Sequence, residues 1–249
     1  MRRRNMRFLM TTLGAALLAL AWSNQASAET YTGTGTATDG GSSTVSAKAV
    51  FSVSGGTLTI VLTNISSSAT PRPGATLTGI GFSITGSSPA LDLSTTALTS
   101  GSKIWTSSTS SNVTDALAGS WTDKVDSSPP SGIKYGVATT GANGNFNGNG
   151  IELGGSDPDY GIAAAGSFPG GFGGSPNQYP YIQDSLTFTF SGATGLDLSK
   201  LTNVQFFFGT NGDYFAGKPD AVPEPSTLAI AGLGALGLIG YGLRRRRVR

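Results

Sequence analysis

Side-chain polarity alternates with a period of two on both sides of one glycine pair, and few folds accept that pattern. Val45, Ala47, Ala49, Phe51 and Val53 are interleaved with Ser46, Lys48, Ser52 and Ser54. Gly55-Gly56 follows, and then Leu58, Ile60 and Leu62 are interleaved with Thr57, Thr59 and Thr63. In an extended strand, alternate side chains point to opposite faces. The two runs therefore predict a β-hairpin with one buried face and a tight Gly-Gly turn. Val50 and Val61 interrupt the polar face, which places them under a second layer.

Other runs repeat the theme. Leu77, Ile80, Phe82 and Ile84 change phase at Gly79, as a β-bulge would make them do. Leu186, Phe188 and Phe190 alternate with Thr187 and Thr189, and Val204, Phe206 and Phe208 alternate with Gln205 and Phe207. Short strands between turn signals predict an all-β domain. The expected architecture is an antiparallel β-sandwich, jelly-roll-like, with long Gly/Asn/Pro-rich loops. Those loops are Ser127–Gly132, Gly141–Gly150 and Gly154–Gly174. Outside the two ends, Ala90–Ser100 is the stretch expected to form a short helix.

The ends follow different rules. Met1–Arg7 carries four arginines, Phe8–Ala21 is almost continuously apolar, and Ala26-Ser27-Ala28 closes the segment. This is the three-part layout of a secretory signal peptide, residues 1–28, with a signal helix and cleavage after Ala28. Ala26 and Ala28 are the small residues that signal peptidase reads. Phe8-Leu9 stands too far from Arg3-Arg4 for the twin-arginine route, so the general secretion machinery is the expected partner. At the other end, Pro223-Glu224-Pro225 precedes Ser226, a suitable helix N-cap, and then the uncharged segment 227–243. As a helix its 17 residues span ~26 Å at 1.5 Å per residue, enough for a thin bilayer. Arg244, Arg245, Arg246 and Arg247 follow and act as a membrane stop on the cytoplasmic side.

The order Pro-Glu-Pro, apolar helix, arginine cluster resembles the PEP-CTERM sorting signal, here over residues 222–249. The resemblance implies that Pro223, Glu224 and Pro225 are read by an exosortase, a membrane-embedded processing enzyme. It also implies a Gram-negative host that makes exopolysaccharide. The chain would be anchored transiently in the inner membrane and then delivered to the cell surface or extracellular matrix. The phrases Leu58–Asn64 and Asn203–Thr210 are similar to strands of proteins bearing this tail, whose fold is usually a β-sandwich.

Charge and composition narrow the function of the exported domain, residues 29–221. From Glu29 to Val222, seven Lys and Arg against thirteen Asp and Glu leave a net charge of −6, so the whole chain's +2 comes from its ends. That is no footing for nucleic-acid binding. The chain has no Cys and no His. Thiolate and imidazole nucleophiles, zinc sites built on them and iron–sulfur clusters are thereby excluded. No cofactor is expected. Asp115, Asp123, Asp126 and Glu152 are the carboxylates a hydrolase would draw on, but their spacing selects no pair, and no enzyme is expected. Asp157 and Asp159 are the one Ca²⁺ candidate, hard oxygens on flexible backbone, against the competing reading of a plain turn.

Two surfaces remain. Trp105, Trp121, Tyr160, Tyr179 and Tyr181 have the rings that stack on sugars, or else serve as core anchors. Thr30, Thr32, Thr34, Thr36 and Thr38 would form one hydroxyl row, with Tyr31, Gly33, Gly35 and Ala37 on the other face. One row fits a polar edge strand, and ice recognition would need several rows in register. The chain is therefore expected to be a non-enzymatic surface or matrix protein associated with exopolysaccharide in a biofilm. A carbohydrate-binding module is the alternative and an ice-binding protein a remote one. A row of exposed Trp or Tyr on a sheet face would favour the carbohydrate module.

Overall fold

The structure is a computed structural model that describes residues 27–38, 41–67, 73–106, 109–111, 117, 120–125, 132–139, 145–147, 150–152, 160–165, 180–209 and 213–220. No α-helix occurs among them. The signal helix, the 227–243 helix and the PEP segment lie outside the described residues.

One sheet contains β1 (Ser27–Ala37), β2 (Ser43–Ser54), β3 (Thr57–Asn64), β5 (Asp92–Leu98), β14 (Ser185–Ser191) and β17 (Lys218–Pro219). Its order is β17-β1-β2-β3-β14-β5. The second sheet is built around β4 (Leu77–Ile84). On one side of β4 lie β15 (Leu201–Phe208) and then β16 (Asp213–Ala216). On its other side β9 (Tyr135–Thr139) pairs along Gly79–Phe82, and β8 (Trp121–Val125) pairs with β9. At Leu77 the partner becomes β12 (Ile162–Ala163), followed outward by β13 (Pro180–Gln183), β6 (Lys103–Thr106) and β7 (Thr109–Ser111). Among the described strands only β12 and β13 are parallel. A separate hairpin joins β10 (Asn145–Asn147) to β11 (Gly150–Glu152). The chain crosses repeatedly between the sheets, giving an all-β sandwich.

The β2–β3 hairpin has the expected register, with Phe51 opposite Ile60 and Ser54 opposite Thr57. Gly55 and Gly56 have φ of +57° and +80°, which is why two glycines make this turn. Val45, Ala47, Ala49, Phe51, Leu58, Ile60 and Leu62 are completely buried. They meet Ile80, Phe82, Val204, Phe206 and Phe208 from the second sheet, all buried. Phe51 bridges the layers, edge-on to Tyr31 at 5.6 Å and to Phe82 at 5.3 Å between ring centroids. Such pairs add about 0.5–1.5 kcal/mol beyond the burial itself.

Two expectations change in the structure. Ala90–Ser100 contains a strand, β5, because β14 enters between β3 and β5 and uses both as partners. The β-branched Thr95 and Thr96 suit that role. Val50 and Val61 face each other across β2 and β3 and are half-buried by their neighbours in the row, with no described layer above them. Phe207 lies on the outer face of its sheet yet is 1 % exposed, because Ile133 folds over that face. Gly81 makes room: a Cβ there would stand 2.7 Å from Ile133 Cγ2. The bulge falls beside Gly79, where Phe207 pairs with Gly79 but Phe208 pairs with Leu77.

Candidate functional site

The first and last strands of the body interlock. β1 alternates Thr outward with Tyr31, Gly33, Gly35 and Ala37 inward, and Tyr31 and Ala37 are buried. The inward glycines admit rings from the end of the body. A Cβ on Gly33 would lie 2.6 Å from Phe206 Cδ2, and one on Gly35 would lie 1.8 Å from Phe215 Cδ1. Phe215 belongs to β16, at the edge of one sheet; two residues past β16 the chain reaches β17, at the edge of the other. Residues 213–220 thus strap one side of the sandwich.

Hydrogen bonds fix the strap at both ends. The Thr38 N–H donates to Asp213 Oδ2 at 2.6 Å. The Gly217 N–H donates to the Val204 carbonyl at 2.8 Å, and the Asp220 N–H to the Thr30 carbonyl at 2.8 Å. The Thr32 hydroxyl donates to Asp220 Oδ1 at 2.8 Å. Pro219 sits opposite Tyr31 on an edge, where its missing N–H costs nothing. The roles of Asp213 and Asp220 are not visible in sequence, because their partners lie more than 170 residues away.

Ala28 is exposed and pairs with Ser52 within β1. Ala26 lies outside the described residues. The cleavage expected after Ala28 would fall within the strand and leave Glu29 opposite Phe51 as its first pair.

The threonine row does not stand alone. Thr30 aligns with Val50, Val61, Thr187 and Ala97 across five strands. In the next row Ser52, Thr59, Thr189 and Thr95 align, and on the other side Lys218, Thr32, Lys48 and Thr63 do. The outer face of this sheet is thus an in-register array of hydroxyl and methyl groups crossed by a row that holds Lys48 and Lys218.

The aromatic candidates converge elsewhere, on the second sheet. Trp105 pairs with Tyr181 across β6 and β13, and its Nε1 donates to Gln183 Oε1 at 2.9 Å. Trp121 Nε1 donates to the Tyr160 carbonyl at 3.2 Å, and the Tyr160 N–H donates to the Pro180 carbonyl at 2.7 Å. Trp121 and Tyr181 are nevertheless buried, at 5 % and 2 % exposure, and Trp121 packs on Phe188. Burial pushes the Tyr181 phenol up to about 12. Trp105 and Tyr160 are half-buried, and Tyr179 lies outside the described residues.

Of the carboxylate candidates, Asp123 alone has a described side chain. Asp123 Oδ2 accepts the Leu93 N–H at 3.1 Å, capping the edge of β5. Asp115, Asp126, Asp157 and Asp159, and the side chain of Glu152, lie outside the described residues. Among the described residues no group of three or more Asp or Glu could hold a metal ion. Asn64, missed as a structural residue, is 1 % exposed. Its Nδ2 donates to the Ala75 and Ile162 carbonyls, each at 2.8 Å, and its Oδ1 accepts the Ser66 N–H. Asn64-Ile65-Ser66 has the form of a glycosylation sequon, but the buried Nδ2 of Asn64 is taken up by its two carbonyl partners.

A family model described as the PEP-CTERM protein-sorting motif matches residues 221–247. The chain carries a PEP-CTERM sorting signal. No curated protein matches the chain, and no solved structure does. The PEP-CTERM match begins one residue after Asp220, the last residue of the strap. It covers Pro223, Glu224, Pro225 and the arginines Arg244 to Arg247. A PEP-CTERM signal implies export, membrane-anchored processing by an exosortase and delivery to the surface.

Proposed function

We propose that this chain is a non-enzymatic component of the cell surface or extracellular matrix of a Gram-negative bacterium. The segment 227–243 anchors it in the inner membrane until an exosortase acts at Pro223-Glu224-Pro225. The body then joins an exopolysaccharide-containing biofilm matrix. The observation that carries this reading is the PEP-CTERM signal directly behind a body that contains no His or Cys. Deleting residues 222–249, with cell fractionation and a matrix-association assay, tests it: the body should be lost from surface and matrix and appear free in the periplasm. Mass spectrometry supplies the second arm. An intact Arg249 end in cells with active exosortase counts against processing.

The positions of the aromatic side chains support a matrix component over a carbohydrate-binding module. Among the residues whose side chains are described, Tyr214 is the only strongly exposed aromatic, at 43 %, and no row of rings crosses a sheet face.

One observation favours a second reading. Hydroxyl groups line up in register on β2, β3, β14 and β5 as Ser52, Thr59, Thr189 and Thr95, beside a second row in which Thr30 and Thr187 flank Val50 and Val61, and in-register rows are what ice recognition requires. Lys48, in the middle of one row, works against it. Absence of thermal hysteresis at millimolar concentration dismisses this reading.

A further inference from the structure

The bond expected to free the body from its leader lies inside the first strand. Ser27 and Ala28 belong to β1 and pair with Val53 and Ser52 of β2, and Glu29 pairs with Phe51. The Thr30 carbonyl accepts the Asp220 N–H, so the polar groups of Thr30 point away from β2. In an antiparallel ladder alternate residues exchange both hydrogen bonds with the same neighbour. Ala28 therefore turns its N–H and C=O to the edge away from β2, as Thr30 does, while Ser27 and Glu29 turn theirs to β2. The Ser46 carbonyl gives the same phase from the other strand. It accepts the Ile65 N–H beyond β3, so Ser46 and its partner Thr34 exchange no bonds.

The Ala28–Glu29 peptide is thus divided between two environments. The Ala28 side chain is exposed, and its carbonyl is directed to the outer edge. The Glu29 N–H is held by the carbonyl of Phe51, a completely buried residue. Hydrolysis adds water across the bond. The hydroxyl goes to the Ala28 carbonyl carbon and the proton to the Glu29 nitrogen, leaving a carboxyl group and an amine. That nitrogen must leave the peptide plane and depart while β2 holds it in the ladder. Recognition of an extended segment also draws on its main-chain groups, and those of Ser27 and Glu29 are already taken.

We infer that β2 masks the bond that signal peptidase hydrolyses, so that removal of the leader precedes closure of β1 on β2. This rests on the reading of Ala28–Glu29 as the cleaved bond. The two events compete for the same residues. Phe51 and Val53 follow Ala28 in the chain, so the bond is unmasked until β2 has crossed the membrane behind it. A chain whose hairpin closes first keeps its leader.

The full-length precursor tests this order. Held in detergent micelles, it is given to purified signal peptidase in two states, folded and freshly diluted from urea. The freshly diluted chain should be cut to a product that begins at Glu29, and the folded chain at least tenfold more slowly. Val53→Pro removes the N–H that ties the Ser27 carbonyl to β2, and should raise the rate for the folded chain severalfold, with tryptophan fluorescence reporting that the body is folded. Equal rates from the two wild-type states overturn the inference, and so does a folded Val53→Pro chain cut no faster than wild type. If that variant does not fold, the comparison of the two wild-type states decides. A freshly diluted chain cut elsewhere, or not at all, overturns instead the reading of Ala28–Glu29 as the cleaved bond, and the inference with it.

Discussion

Gly35 offers the sharpest test of how the strap closes the sandwich. A Cβ at Gly35 would lie 1.8 Å from Phe215 Cδ1 and 2.0 Å from Cε1. Favourable carbon contacts need about 3.5–4.0 Å, so the ring must retreat by roughly 2 Å. Phe215 packs on Phe208 with centroids 5.9 Å apart, and that contact would be lost or bent. Overpacking of this kind costs about 1–3 kcal/mol. Gly35 has no positive φ, so alanine fits the backbone and recovers about 0.4–1 kcal/mol by restricting the unfolded chain. The net expectation for Gly35→Ala is a loss of ~1–2 kcal/mol. In a Phe215→Ala background the clash partner is gone and the sign should reverse, to a gain of about 0.4–1 kcal/mol. Urea unfolding of the leader-free chain, followed by circular dichroism and tryptophan fluorescence, measures all four corners of the cycle. If Gly35→Ala costs the same in both backgrounds, the ring is not what fills the glycine's place.

Other sites give independent checks. Asn64→Leu strips three hydrogen bonds from buried backbone groups and should cost about 3 kcal/mol or more, at 1–3 kcal/mol for each group left unsatisfied; a loss under ~1 kcal/mol would show that the tie carries little. Thr139 is completely buried and its Oγ1 has no hydrogen-bond partner. Thr139→Val should therefore raise the urea midpoint, with a gain of about 1 kcal/mol, and a lowered midpoint would refute the assignment. Phe188→Ala and Phe206→Ala, both at fully buried positions, should each cost about 3–5 kcal/mol. Tyr181 has its folded value pushed from 10.0 to about 12 by burial. A raised value means stability that is complete below pH 10 and declines as pH rises from 10 to 12, by ~2 kcal/mol. Alkaline unfolding should be shallower in Tyr181→Phe, and an unchanged profile would place the lost stability elsewhere.

The sequence made the hairpin legible because it is local. Alternation, a two-glycine turn and β-branched residues all agree between Val45 and Thr63, and they yield the register without tertiary information. The Phe-rich pair Leu186–Phe190 and Val204–Phe208 was legible for the same reason. β5 was not. Asp92–Leu98 has weak alternation, and it becomes a strand because β14, about 90 residues later, supplies its ladder. The order β3-β14-β5 cannot be read from a pattern with a period of two, since periodicity selects a face and not a neighbour. Phe207 was half legible: alternation assigns it outward, but the cover provided by Ile133 comes from a separate segment. The sorting signal was the most legible feature, because it must be recognised as a linear segment. The strap behind it was hidden, because Thr-Gly alternation in β1 acquires meaning only once Phe206 and Phe215 are seen to occupy the spaces that its glycines leave.

The insertion of β14 also sets the schedule of folding. An exported chain emerges N-terminus first, and β1, β2 and β3 can assemble early as a meander. β3 then has one bare edge until Ser185–Ser191 arrives, about 120 residues after Asn64. That edge, Leu58-Thr59-Ile60-Val61-Leu62, is rich in β-branched residues that favour strands. Non-local pairing of this kind is slow, and an unpaired edge is open to other chains meanwhile. β1 waits longer still, for Lys218. The body therefore completes itself only when the last residues before its sorting signal have crossed, and an exporting cell must keep the half-built sheet from finding the wrong partner until then.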